Sequence, residues 1–242
     1  MAGPPALVQS PFDGTWQMNQ EKSDLTSSMM PLKIEDAGGG AIRIDKDTLK
    51  TDGSKTATAD GGQSAIEKRS ARNYHETDWF KGVEAGQSDF VISHDGKTLT
   101  IHSHGTNPNG AQFDTTTTYT RIARGDGLVG VWKPTSIKDT QPRIWIVKVT
   151  DSEVLWNEPG VKITVRASTD GKPVSPKGPM VPESMTMAFT KEGPRTLHMV
   201  EQTKGKTVFT VTYAVSEDGK TLTVDGKTDK GESVKEVWEK QR

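Results

Sequence analysis

The sequence predicts an all-β protein built as two tandem antiparallel up-and-down β-barrels, and three observations carry that expectation. The string S-H-D-G-K-T-L-T-I at residues 93–101 returns as S-E-D-G-K-T-L-T-V at residues 216–224. In the same order, the D-G-T-W around Trp16 is answered by the V-G-V-W around Trp132, and Tyr119-Thr120-Arg121 by Trp238-Glu239-Lys240. Helical periodicity is nearly absent: 24 Gly and 13 Pro punctuate the chain, and the segments between them favour Thr, Val, Ile, Trp and Phe. Three landmarks repeated in one order describe a duplicated domain.

A chain of 242 residues has room for two such domains, each large enough for its own core. The boundaries fall at 11–124 and 127–242, with Arg124-Gly125-Asp126-Gly127 as the expected linker. Two copies at this long period do not make a solenoid. Only 31% of residues are hydrophobic, which suits strands that expose every second side chain. With 31 basic and 32 acidic residues well mixed, neither nucleic acid nor an anionic membrane is an expected partner. The absence of cysteine removes disulfides, thiolate catalysis and thiolate metal sites, and leaves the compartment open. Residues 1–10 lack a charged segment followed by an apolar run, so a periplasmic or secreted location is expected only if a leader was removed ahead of Met1.

Strands are predicted at 14–19, 30–36, 41–47, 64–74 and 112–121 in the first copy. In the second they fall at 130–135, 143–149, 153–157, 161–168, 184–190, 195–202 and 232–240. Asp95-Gly96 and Asp218-Gly219 read as two-residue type I′ hairpin turns. That sets Ile92 opposite Leu99, Phe90 opposite Ile101, Val215 opposite Leu222 and Tyr213 opposite Val224, with the apolar residues on one face.

Gly14-Thr15-Trp16 with Arg121, and Gly130-Val131-Trp132 with Lys240, resemble the closing device of lipocalins and the wider calycin superfamily. That resemblance implies a first-strand Trp sealing each barrel end under a basic side chain from the last strand. The expected closing pairs are therefore Trp16 with Arg121 and Trp132 with Lys240. More narrowly, both copies are similar to uncharacterised bacterial lipocalin-like proteins, which run from G-x-W-x-x-N and K-S to a late D-G-K-T-L-T hairpin. Trp16, Asn19, Lys22 and Ser23 follow that pattern, whereas the second copy reads Pro134-Thr135-Ser136 after Trp132.

Candidate chemistry is sparse. His102 and His104 share a strand face at a spacing that suits a metal, yet the register turns both outward, with Asp89 opposite His102 as a surface pair. Tyr74-His75-Glu76-Thr77-Asp78-Trp79-Phe80 reads either as an acid/base cluster in a mouth loop or as a strand end whose Trp79 and Phe80 cap the core. Trp145, Trp156, Met185, Met187 and Tyr213, with Met180 and Met199, are candidate walls for an apolar ligand, as is Trp79 in the first copy. The Pro-rich stretch Lys172–Pro179 reads as a semi-rigid surface excursion or lid. No phosphate loop, nucleophile elbow or H-E-x-x-H motif occurs. The expectation is a binding protein without cofactor or catalytic residues, holding a small apolar or amphipathic molecule in one or both barrels. The alternatives are an interaction module with filled barrels, or an enzyme on a calycin scaffold.

Overall fold

A computed structural model describes residues 10–59, 61–106, 110–179 and 181–242; Met180, one of the candidate wall residues, lies outside them. Among the described residues the regular structure is strand apart from one 3-10 turn, Pro159–Val161, and no helix is long and apolar enough to cross a membrane. Two compact units form, each an antiparallel, nearly closed barrel. One is continuous, Met29–Gln141; the other is split, joining the residues up to Ser28 to Pro142–Arg242.

The split barrel runs Ile163–Ser168, Glu153–Glu158, Ile144–Val149, Gly14–Met18, Ser233–Lys240, Thr221–Thr228, Lys206–Val215, Thr196–Thr203, Met185–Lys191. The continuous barrel runs Asp47–Lys50, Ala41–Ile44, Leu32–Gly38, Gly130–Asp139, Gln112–Ala123, Thr98–Thr106, Val83–Ile92, Asn73–Phe80, Gln63–Lys68, Thr56–Ala57. The first strand of each repeat therefore completes the barrel of the other. This moves the boundary away from 124–127, and the reason is loop closure. Gln112–Ala123 and Gly130–Asp139 follow one another and pair as a local hairpin, from Thr115↔Asp139 to Ala123↔Val131. Pairing Gln112–Ala123 with Gly14–Met18 would instead close a loop of most of a repeat, which costs more chain entropy. Gly14–Met18 then takes the equivalent slot, with Trp16 opposite both Trp145 and Lys240. The R-G-D string belongs to the hairpin turn, where Val129 N–H donates to Asp126 O (3.0 Å).

The closing pairs change with the strands. The Arg121 guanidinium lies 3.9 Å from the Trp132 ring, and Lys240 Nζ lies 4.8 Å from the Trp16 ring. Both indoles are fully buried, and each N–H donates four residues back, Trp16 to Phe12 O (2.8 Å) and Trp132 to Leu128 O (2.9 Å). Arg121 also donates to Gly96 O, Val129 O and Gly127 O, and Lys240 to Pro11 O, so each cation ties the incoming chain to the barrel end. Gly130 has φ +148°, and a Cβ there would lie 2.6 Å from Arg121 Nη1, so only glycine lets the guanidinium cross the strand.

The hairpin register is the one read from the sequence, including Phe90↔Ile101 and Tyr213↔Val224. The turn is different. Gly96 and Gly219 have φ +69°, but Asp95 and Asp218 are not at positive φ, and Gly96 N–H donates to Ser93 O (3.0 Å). Each loop is thus a four-residue connection containing a β-turn, with glycine in the left-handed region. Ser93 Oγ donates to Asp95 Oδ1 (2.6 Å), which also accepts from Lys97 N–H (3.1 Å); Ser216, Asp218 and Lys220 repeat this at 2.6 and 3.1 Å. The repeated S-x-D-G-K-T string encodes this side-chain clasp.

The Pro-rich stretch is a seam in the wall, not a lid. Val174 and Met187 exchange backbone hydrogen bonds (2.9 and 2.8 Å), as do Thr164 and Lys177 (2.8 Å each). Val174 and Lys177 thereby bridge the edge strands Ile163–Ser168 and Met185–Lys191, while Pro173 and Pro176 sit where no donor is required. In the continuous barrel the bridge Asp52↔Glu67 closes the corresponding gap.

The exchange is testable by double-mutant cycles on Trp16→Phe, Lys240→Ala and Arg121→Ala, read by denaturant unfolding. Trp16 and Lys240 are expected to couple by about 0.5–2 kcal/mol. Trp16 and Arg121 should instead be additive within about 0.5 kcal/mol.

Candidate functional site

Alternation sends Trp145, Trp156, Met199, Tyr213 and Trp238 into the split barrel, where they form its core with Trp16, Phe189 and Leu197. Trp145 stacks on Trp238 with centroids 3.4 Å apart and planes 16° apart, Trp156 meets Trp145 edge-on at 4.6 Å, and Tyr213 tilts against Trp156 at 4.9 Å. These rings do not fill the barrel. A cavity of about 240 Å³ remains, walled by Trp145, Trp156, Tyr213, Phe189, Phe209, Met187 and Met199. A Cβ at Gly226 would lie 2.7 Å from Phe209 Cζ, so that glycine is what lets Phe209 lie flat against the neighbouring strand.

Four of the sequence candidates, Trp145, Trp156, Met187 and Tyr213, meet at this cavity. Met185 shares a face with Met187 but stays off the wall, and Trp79 belongs to the other barrel. Sequence reasoning missed the charged part, Arg143, Glu158, Glu201 and Glu236. Strand parity could have found the three carboxylates: each stands two residues from an inward aromatic or Met, namely Trp156, Met199 and Trp238.

Arg143 lies between two of these carboxylates, 3.5 Å from Glu236 and 3.8 Å from Glu158, and 5.7 Å from the Trp238 ring. Trp238 Nε1 donates to Glu236 Oε2 (3.0 Å). Burial pushes the Glu158 carboxyl above its usual range, with Arg143 pulling the other way. Burial also raises Glu201. The Tyr213 hydroxyl is held firmly protonated, first by burial and then by Glu236, Glu158 and Glu201. Trp145 Nε1–H is buried without an acceptor; it leans toward Glu158 electrostatically but falls short of hydrogen-bond geometry.

The continuous barrel has the same register and a different interior. Tyr74↔Phe90 corresponds to Leu197↔Tyr213, so Glu76, Ser88 and Ser64 take the places of Met199, Val211 and Met187. Ser88 and Ser103 share a hydrogen bond (2.8 Å), and Ser64 Oγ donates to Glu76 Oε1 (2.7 Å). A cavity of about 330 Å³ is bordered by Asp47, Ser64, Glu76, Asp78, Trp79 and Phe80. Glu76 is pushed up to about 7, chiefly by burial and then by Asp78, against the Ser64 hydrogen bond. Lys55 Nζ caps the Trp79 ring at 3.7 Å.

Tyr74–Phe80 is strand, not a mouth loop or turn: the predicted strand 64–74 divides into Gln63–Lys68 and Asn73–Phe80 around a turn. His75 faces outward, its Nδ1 2.8 Å from Asp89 and its Nε2 3.4 Å from Thr77 Oγ1. The expected His102–Asp89 pair is replaced. Asp89 is the backbone partner of both His75 and His102, and its carboxylate goes to His75, with Arg69 at 3.7 Å. His102 turns to Asp114 (2.9 Å) and stacks on His104 at 5.3 Å. Among the described residues no three His, Asp or Glu side chains are arranged to hold a metal.

No protein family matches this chain, and no curated protein or solved structure is detectably similar to it.

Because Glu76 binds its proton more tightly folded than unfolded, its contribution to stability is greatest below about pH 4.5 and is lost as pH rises toward about 7. The expected loss across that window is about 3 kcal/mol at most. Glu76→Gln, which keeps a partner for Ser64, should be more stable than wild type at pH 8 and flatten this slope in urea unfolding at pH 5, 6.5 and 8.

Proposed function

We propose that the chain is a non-enzymatic binding protein that holds a small apolar or amphipathic molecule in its split barrel. The observation that carries this reading is the cavity of about 240 Å³ walled by Trp145, Trp156, Tyr213, Met187 and Met199 inside an otherwise packed core. Aromatic and thioether walls adapt to varied apolar shapes. The volume lies just under the roughly 300–1,000 Å³ of typical drug-sized sites, which favours a compact ligand over one the size of a retinoid or haem. The continuous barrel, with its interior hydroxyl and carboxyl pairs, fits the role of a structural partner better than that of a second apolar binder.

At the level of fold family we read both barrels as lipocalin-like members of the calycin superfamily. The support is the device at each barrel end: a buried first-strand Trp under a last-strand cation, with a glycine two residues before the Trp. An enzyme on this scaffold has one observation in its favour, the near-neutral Glu76, hydrogen-bonded to Ser64 beside a cavity that Asp47 and Asp78 also border.

Native mass spectrometry and tryptophan quenching with indole and octanoic acid test the binding reading. At least one probe is expected to quench saturably, because Trp145 and Trp156 form the wall. Val165→Phe, which projects a ring into the cavity and so fills empty space, should abolish that quenching while leaving the thermal midpoint unchanged or higher. Quenching that survives Val165→Phe would place the ligand elsewhere.

A further inference from the structure

We propose that the ligand of the split barrel is a small organic ammonium ion with an apolar body and a hydrogen-bond acceptor. This rests on the binding reading above and names the chemistry of its ligand.

The charges around the cavity do not balance. Three carboxylates, Glu158, Glu201 and Glu236, face one guanidinium, Arg143, which engages Glu236 and Glu158. Glu201 makes no ion pair among the described residues, and its backbone partners across the two adjacent strands are Met187 and Phe209. A half-buried carboxylate in an apolar wall is costly when ionised and unpaired. A cation delivered by a ligand supplies the missing partner. The wall reinforces this: Trp156, Tyr213 and Phe209 present ring surface to the same space, and aromatic faces attract ammonium groups.

A second, independent observation concerns the buried indole. Trp145 is 7% exposed and lines the cavity, and its Nε1–H, though it leans toward Glu158, makes no hydrogen bond of good geometry among the described residues. An unmet buried donor at a cavity wall calls for an acceptor from the occupant. An anionic ligand would supply that acceptor but meet an excess of negative charge. A neutral one would leave Glu201 unpaired. The corresponding positions of the continuous barrel do not combine these features, since Asp78 stands for Glu201 but Glu76, Ser64 and Thr117 replace Met199, Met187 and Glu236.

The test is isothermal titration calorimetry of the full chain with 2-phenylethylammonium, 2-phenylethanol and phenylacetate, a matched cation, neutral and anion, between pH 4.5 and 8. The groups that titrate or carry charge at the cavity are Arg143, Glu158, Glu201, Tyr213 and Glu236, with Tyr213 neutral throughout. Ammonium affinity is expected to rise with pH as Glu158 and Glu201 ionise and then to level off. It should exceed that of the alcohol and of phenylacetate by at least about tenfold at pH 8. Glu201→Gln should lower it about tenfold with a thermal midpoint unchanged or higher and unchanged tryptophan emission. Equal or tighter binding of the alcohol or the carboxylate, or an unaffected Glu201→Gln, overturns the cation assignment and leaves the binding reading standing. Silence from all three while indole or octanoic acid binds has the same meaning; silence from those as well overturns both.

Discussion

Each barrel depends on one contact, a cation from the last strand laid across the buried indole of a first strand. Arg121 over Trp132 and Lys240 over Trp16 each join three things: the indole face, the carbonyls of the incoming chain, and the glycine that lets the cation pass. The cation is partly desolvated there, so burial lowers the pKa of both Arg121 and Lys240. Such a group holds its place only because carbonyls and an aromatic face replace the water it gives up. The same contact fastens whichever first strand occupies the slot, so each barrel end is closed alike although the strands are exchanged.

The exchange has a consequence for how the two interiors differ. Equivalent slots hold equivalent strands, so the end of each barrel is built alike: Phe12 and Leu128 accept the indole N–H groups, and Trp16 and Trp132 are equally buried. Deeper in the barrels the copies diverge. The continuous barrel spends its inward positions on hydroxyl and carboxyl groups that satisfy one another, as with Ser88 and Ser103. Its counterpart uses large rings and thioethers, so its cavity has an aromatic wall where that of the continuous barrel is bordered by carboxyl and hydroxyl groups. Differences between the copies, rather than their shared motif, therefore mark the candidate site.

Much of the fold was legible because β-sheet periodicity is local. Period two on either side of the D-G turns set Tyr213 opposite Val224 and Phe90 opposite Ile101. The turn type was misread, since D-G suits a type I′ turn in isolation, whereas the preceding serine stabilises a longer loop through the aspartate. Part of the site was equally legible: Trp145, Trp156, Met187 and Tyr213 are the residues a composition-minded reader would choose. Its carboxylates were not, because Glu158, Glu201 and Glu236 look like ordinary surface charges until strand parity is followed past the last apolar residue. His102 shows the same limit: its backbone neighbour Asp89 was foreseen, but side-chain pairing depended on His75 arriving from the next strand.

By itself, the amino-acid sequence determined that the chain is all-β, duplicated and paired in a particular hairpin register. These follow from alternation, turn chemistry and repeated motifs, which act over a few residues, whereas the closure of each barrel by a Trp and a cation was only implied by a family resemblance. Only the tertiary structure decided that Trp16 belongs with Lys240 and Trp132 with Arg121, and that the split barrel's cavity is walled by rings and thioethers while the other's is bordered by carboxyl and hydroxyl groups. Two identical G-x-W strands are interchangeable as strings, and the choice between their slots is made by the cost of closing a loop and by packing across distant strands.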